Sequence, residues 1–283
     1  MTSTATSEAM STATKAAVID LLYRLADDSL IIGHRNSEWT GLGPILEEDI
    51  AFSSMAQDKM GHALALYGLL HQLGEEPPDR LAFARGPRDY RCCDLVAMEF
   101  LSGAATDGPL CNNPVRDELV SRGDWAGSLV RQFLFSEADA VRMAALETSA
   151  YEPMAQLARK LRGELKYHTL HGRLLIERLG KATEDSRSRL NGVIERVWPQ
   201  ALGMFEPTKH GQTLASAGIC PTEEALCDRW LGEVEPIIER SGLSRPKHAK
   251  PAYGGRAGNH PPELALLLDD MQRVYRLDPT AQW

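Results

Sequence analysis

Several things are scarce in this 283-residue chain, and each scarcity removes a class of protein. Basic residues are outnumbered, 31 Lys and Arg against 39 Asp and Glu, for a net charge of −8. That argues against a nucleic-acid binder, which would show a basic stripe, and against adhesion to anionic membranes. The longest apolar stretch free of charge, Ala63 to Gly74, falls short of the roughly 20 residues a bilayer span needs. The five cysteines, Cys92, Cys93, Cys111, Cys220 and Cys227, are odd in number and form no Cys-x-x-Cys pair. A disulfide framework or a structural zinc site is therefore not expected, and a reducing compartment fits, so the expectation is a soluble, cytoplasmic protein. Met1 to Thr14 is rich in Ser, Thr and Ala. It has no basic region followed by an apolar stretch, so it reads as a disordered tail and not as a secretory signal. No Gly-x-Ser-x-Gly elbow, phosphate loop or Gly-x-Gly-x-x-Gly fingerprint occurs, and no internal repeat of fixed period is visible.

Strand alternation is missing too. What is present is helical periodicity, in a chain 43% hydrophobic and only 6% aromatic. From Lys15, the positions Val18, Leu21, Leu22, Leu25 and Ile32 recur at steps of three and four, which places them on one helix face. Asn36 to Pro44 reads as a loop and Ile45 to Leu73 as a long helix, stopped by Gly74 and Pro77-Pro78. Arg80 to Arg91 reads as a connector, Cys92 to Ala104 as a short helix and Asp107 to Pro114 as a turn. Asp124 to Ala150 and Pro153 to Leu179 read as two long helices, followed by Ser186 to Met204, Pro221 to Arg240 and Glu263 to Tyr275. Ser241 to Pro262 shows no helical pattern. Long helices with short joints and no strands imply an all-α fold, a single helical-bundle domain over residues 15–283.

The informative residues in a bundle are the polar ones on its inner seam. His168 interrupts the row Met154, Leu157, Leu161, Leu165, Leu175 and Leu179. Lys59 and His62 lie on the row Met55, Leu66, Leu69 and Leu73. Ser29 follows Leu22 and Leu25, and Ser136 lies between Phe133 and Ala140. Singly these are ordinary: a lone seam histidine is most often a hydrogen-bonded core residue, and a seam serine a small filler. Together they give four long helices, each with a polar position at mid-length. That is the layout of ferritin-like di-iron proteins, in which two helices give one Glu each and two give Glu-x-x-His. The spacing serves the chemistry, since residues three apart share a face and carboxylates suit iron.

Here the four carboxylate positions read Ser29, Lys59, Ser136 and Leu165. Two imidazoles alone would hold iron poorly, and an ammonium opposes a cation. A buried ammonium requires a partner, for which Asp58, Glu137 and Glu164 are the candidates. A shifted site remains as an alternative, because Asp58-x-x-x-His62 and Glu164-x-x-x-His168 each put a carboxylate one turn before a histidine. In that case the chain would be a metal-binding oxygenase using Asp58, His62, Glu164 and His168. A third reading is a stand-alone helical protein with a pocket where the metal was.

At these residues the sequence resembles the ferritin-like subunits of the bacterial multicomponent phenylacetyl-CoA epoxidase, from about Leu21 to Trp283. The resemblance rests on Ser37-Glu38-Trp39-Thr40-Gly41, on Pro44 to Ala51, on Gln57-Asp58-Lys59-Met60-Gly61-His62-Ala63, on Glu164-Leu165-Lys166-Tyr167-His168 and on Glu177 to Gly180. It is strongest at Tyr253-Gly254-Gly255-Arg256-Ala257-Gly258-Asn259-His260, with Glu263 to Leu268, Met271-Gln272 and Gln282-Trp283. In the family's catalytic subunit, Gln-Asp-Glu-x-Gly-His and Glu-Glu-x-x-His supply di-iron ligands. Lys59 and Leu165 stand here at the two glutamates.

The resemblance therefore implies the family's non-catalytic subunit, with no cofactor of its own. Its implied partners are a di-iron catalytic subunit, in a heterodimer or higher oligomer, a small bridging subunit, and a reductase carrying flavin and iron–sulfur groups. The assembly would convert phenylacetyl-CoA to a ring epoxide in aerobic phenylacetate breakdown, or serve a related acyl-CoA. The basic segment 245–258, with Arg245, Lys247, His248, Lys250 and Arg256, reads either as a solvated loop or as a docking segment for an acidic partner or for CoA phosphates.

Overall fold

The computed structural model describes residues 10–101 and 123–281. The expected turn at Asp107 to Pro114, the end of the helix expected to reach Ala104, Cys111 and the terminal Gln282-Trp283 lie outside the described residues.

Helix α1, Thr12–Ser37, begins three residues before Lys15, because the Ser11 hydroxyl accepts the Thr14 amide at 3.1 Å and satisfies one free donor of the first turn. Helix α2, Leu46–Gln72, opens with Glu47, Glu48 and Asp49, the sign favoured at a helix N-terminus. Its end is fixed by Gly74 at φ +99°. The connector is partly helical, as α3, Pro78–Phe83. The helix expected over Cys92 to Ala104 is one turn only, α4, Asp94–Ala97. The Cys93 amide is taken by the Asp28 carboxylate at 2.8 Å, and Met98 leaves the helical region at ψ 132°.

Next come α5, Trp125–Leu146, α6, Glu152–Ala182, and α7, Glu184–Gly203. A short α8, Gly211–Ser216, precedes α9, Glu223–Arg240. The last expected helix is two pieces, α10, Pro262–Met271, and α11, Arg273–Leu277. Among the described residues there is no strand, only an isolated bridge between Leu101 and Gly123. No helix among them is long and apolar enough to cross a membrane.

Helix α1 packs chiefly on α2 and α5 chiefly on α6; α7 and α9 add to the second pair, and α2 also meets α6. Every residue of α5 from Gly127 to Asp139 is buried, as expected of a helix surrounded by others. It carries Arg131, Gln132, Ser136, Glu137 and Asp139 into the interior, so each polar group there must find a partner.

Candidate functional site

The mid-bundle polar positions meet where α2, α5 and α6 touch. Lys59 is fully buried at 0% exposure. Its Nζ forms an ion pair with the Asp139 carboxylate and lies 5.5 Å from the centroid of the Phe135 ring, a cation–π distance. Asp139 was not among the expected partners, and all three of those are engaged elsewhere. Glu137 is buried and grips Arg173 in a two-point fork at 2.7 and 2.6 Å. Asp58 and Glu164 instead face the two histidines.

That pairing is crossed between the helices. His62 on α2 contacts Glu164 on α6 through Nε2 at 2.7 Å. His168 on α6 contacts Asp58 on α2 through Nε2 at 2.9 Å. The two imidazoles stack at 6.2 Å between centroids, 29° apart. Burial, then the Lys59 ammonium, then His168 push His62 down to about 2; burial and then Lys59 push His168 down to about 3. Both are therefore neutral near pH 7. A carboxylate only accepts, so each Nε2 carries the proton and donates it, leaving Nδ1 an acceptor. His62 Nδ1 faces Lys59 Nζ at 3.5 Å, and His168 Nδ1 has no partner. Burial raises Asp58 and Glu164 above their ordinary values; the neighbouring Asp58 adds to the rise at Glu164.

The remaining seam residues bring no metal donor of weight. Ser29 donates to the Leu25 carbonyl at 2.9 Å. Ser136 accepts from Gln132 at 2.8 Å, and Gln132 in turn accepts from Asn36 at 2.7 Å. Leu165 is apolar and buried. These residues do not fit a di-iron centre, since a fixed ammonium and a leucine stand where bridging carboxylates are needed and both serines have other partners. The alternative set Asp58, His62, Glu164 and His168 is brought together, but as two closed pairs with each Nε2 donating to a carboxylate. Among the described residues, no group of three or more His, Cys, Asp or Glu side chains is gathered to hold a metal ion. A cavity beside Asp139, lined also by Asp28, Arg142 and Arg256, has about 10 Å³, room for one water at most.

A second buried polar network was not anticipated. The fork of Arg142 holds both oxygens of Glu223 at 2.8 Å, and Arg24 adds a third contact at 2.8 Å. Burial alone would raise the Glu223 carboxyl, but Arg142 and Arg24 hold it down at about 2. Arg256 reaches Asp28 at 2.8 Å and the carbonyls of Arg91 and Met204 at 2.9 and 3.1 Å. The segment 245–258 is thus neither wholly solvated nor wholly free for docking, because one of its five basic residues is an internal staple. Gly254 at φ +138° and Gly258 at φ +83° supply the turns on either side, conformations that favour glycine. A Cβ at Gly255 would lie 2.7 Å from the Cys92 carbonyl. The signal for this network was the pair of charges Arg24 and Asp28, one turn apart on the inner face of α1.

Against known proteins, the model of a family described as phenylacetic acid catabolic protein matches residues 1–283. The chain is 27% identical over 261 residues to the C subunit of the 1,2-phenylacetyl-CoA epoxidase of Escherichia coli (strain K12), covering 92% of this chain and 96% of that protein. It is 24% identical over 213 residues to the A subunit of the same epoxidase, covering 74% of this chain and 62% of that protein.

Proposed function

The chain belongs to the phenylacetic acid catabolic protein family, and from that membership we propose that it is the non-catalytic subunit of a phenylacetyl-CoA epoxidase assembly, acting in aerobic phenylacetate breakdown in the cytoplasm. It docks and stabilises a homologous di-iron subunit, which carries out the ring epoxidation. A small bridging subunit and a flavin and iron–sulfur reductase complete the assembly. The chain itself holds no cofactor.

The observation that carries the non-catalytic reading is Lys59, buried and paired with Asp139. The pair keeps the middle of the bundle filled and close to neutral. Buried charges are tolerated only when matched in this way, so the helices can keep their spacing without a metal. The crossed His62–Glu164 and His168–Asp58 pairs tie α2 to α6 at the same level.

The test is co-production with the catalytic subunit from the same source. The two chains should co-purify in fixed ratio, and the chain purified alone should carry iron far below one atom per molecule. Stoichiometric iron in the isolated chain would overturn the non-catalytic reading, and failure to co-purify would overturn the partnership. Restoring carboxylates with Lys59→Glu and Leu165→Glu should raise metal affinity only modestly, because Ser29 and Ser136 still withhold two ligands.

A further inference from the structure

We propose that a cleft at the end of the bundle, where α1 passes to α2, is a binding site for an aromatic carboxylate. The site is made by this chain alone and does not depend on the partnership proposed above. The cleft has about 590 Å³, within the range of small-molecule sites. Its walls come from the start of α5, the end of α6 and the first half of α7, with Trp39 and Pro44 from the loop between α1 and α2. None of the mid-bundle seam positions lines it.

One wall is aromatic and fixed. Trp39 is buried, and its indole N–H donates to Ser128 Oγ at 2.8 Å. Trp125 meets it edge to face at 4.9 Å between centroids and 82°, and Phe52 backs Trp125 at 4.5 Å. These rings belong to a small apolar cluster separate from the main core. Leu179, Leu190 and Val193, across the cleft, pack with the main core instead. The cleft is thus a gap between two apolar clusters, with Trp125 partly exposed at its edge. A rigid indole surface favours another aromatic ring, because ring pairs gain energy beyond the area they bury.

The other wall supplies the charge. Arg189, Gly192 and Arg196 follow each other on α7 at steps of three and four, so they share one face, and all three line the cleft. A Cβ on Gly192 would meet nothing within 4 Å. Glycine weakens a helix interior, and packing inside the chain gives no reason for it; here it leaves the cleft open between two guanidiniums. Both arginines can be released to a ligand. Arg189 pairs with Asp185 at 2.9 Å between two exposed side chains, a kind of pair worth little, and Asp185 lies in the first turn of α7, where the helix itself favours an acid. Arg196 pairs with Asp124 at 2.6 Å, but Asp124 also caps α5 by accepting the Gly127 amide at 2.9 Å. Each acid keeps a partner when its arginine turns away, and a guanidinium fork suits a carboxylate. A neutral aromatic molecule would leave the arginines unused, and an inorganic anion would leave the rings unused.

The experiment is calorimetric titration of the full chain with naphthylacetate, alongside thermal unfolding of each variant. The unaltered chain should bind it saturably, one molecule per chain. Gly192→Phe fills the cleft and should abolish binding, whereas Gly192→Ala should keep it and melt no lower than the unaltered chain. Arg189→Gln with Arg196→Gln should weaken binding about 10-fold or more, as expected for lost charged hydrogen bonds. Naphthylethanol, which has the ring without the charge, and decanoate, which has the charge without the ring, should both bind more weakly than naphthylacetate. No saturable binding by the unaltered chain overturns the proposal, and so does a folded Gly192→Phe chain that binds as well. Equal binding of naphthylethanol or of decanoate overturns the assigned ligand class. A Gly192→Phe chain that melts lower, with no binding by the unaltered chain, means that the chain itself packs the cleft. If Gly192→Phe does not fold, the arginine variant decides alone, and unweakened binding there overturns the site.

Discussion

Helix α5 contributes to two buried polar clusters that hold different things. Around Lys59, one ion pair and two neutral histidines join α2, α5 and α6. Around Glu223 and Arg256, three guanidiniums and their carboxylates join α1, α5, α9 and the loop at 254–258. The first cluster fills a position in the bundle; the second ties segments 199 and 228 residues apart in sequence. A filler of matched charge can be exchanged for apolar side chains of similar volume, because its desolvation cost nearly cancels its attraction. A staple of forked guanidiniums cannot lose one member without stranding several others.

The largest effect should therefore fall on Glu223. Glu223→Leu leaves Arg24 and Arg142 buried without their shared carboxylate and should cost about 5 kcal/mol, at the upper end for a broken buried pair. Urea unfolding followed by circular dichroism measures it. A loss smaller than that from Lys59→Met would break the comparison.

Lys59→Met strands Asp139 and should cost about 3 kcal/mol by the same measurement. Lys59→Met with Asp139→Leu removes both charges together and should return to within about 1 kcal/mol of the unaltered chain, or exceed it. A double variant as unstable as the single one would mean that the pair does more than fill the bundle.

Acidity separates the two clusters by range. The folded values of His62 and His168 lie below the ordinary 6.5, at about 2 and about 3. The unfolded chain therefore takes up protons first as pH falls, and stability drops from about pH 6.5 downward. The limiting slope is about 1.4 kcal/mol per pH unit for each histidine. Asp58 and Glu164, raised in the fold, oppose this near their own titration. Glu223, held at about 2 against an ordinary 4.5, contributes stability that is lost only below about pH 4.5. Replacing both histidines by glutamine should flatten the stability profile between pH 6.5 and 4.5 and leave the acid limb below it. Unfolding midpoints across that range check the assignment.

The bundle was legible because apolar residues recur at helical steps, and the long helices fall within a few residues of the expected bounds. The seam positions were legible for the same reason. The partner of Lys59 was not, because Glu137 and Asp139 sit about 200° apart around α5, and only the rotation of that helix decides which one faces α2. A usable signal existed: Asp139 lies three residues after Ser136, on the same face. The staple at Arg256 was illegible for another reason. A basic residue between glycines looks the same in sequence whether its loop faces water or folds inward, and the acid that receives it, Asp28, is 228 residues away.

The smallest effect sharpens the contrast from the side of the serines. Ser136 accepts from Gln132, whose amide nitrogen also lies 3.4 Å from the Met55 sulfur. Ser136→Ala removes one neutral hydrogen bond, leaves Gln132 its contact with Asn36, and creates almost no cavity. The cost should be about 1 kcal/mol, the net worth of such a bond. Ser29→Ala should cost less, since its hydroxyl returns only to a carbonyl of its own helix. If either serine filled a ligand position in this chain, its loss would alter metal content. If both are fillers, Ser29→Ala and Ser136→Ala leave the iron content of the isolated chain and of the assembled complex unchanged, which elemental analysis of both preparations would show.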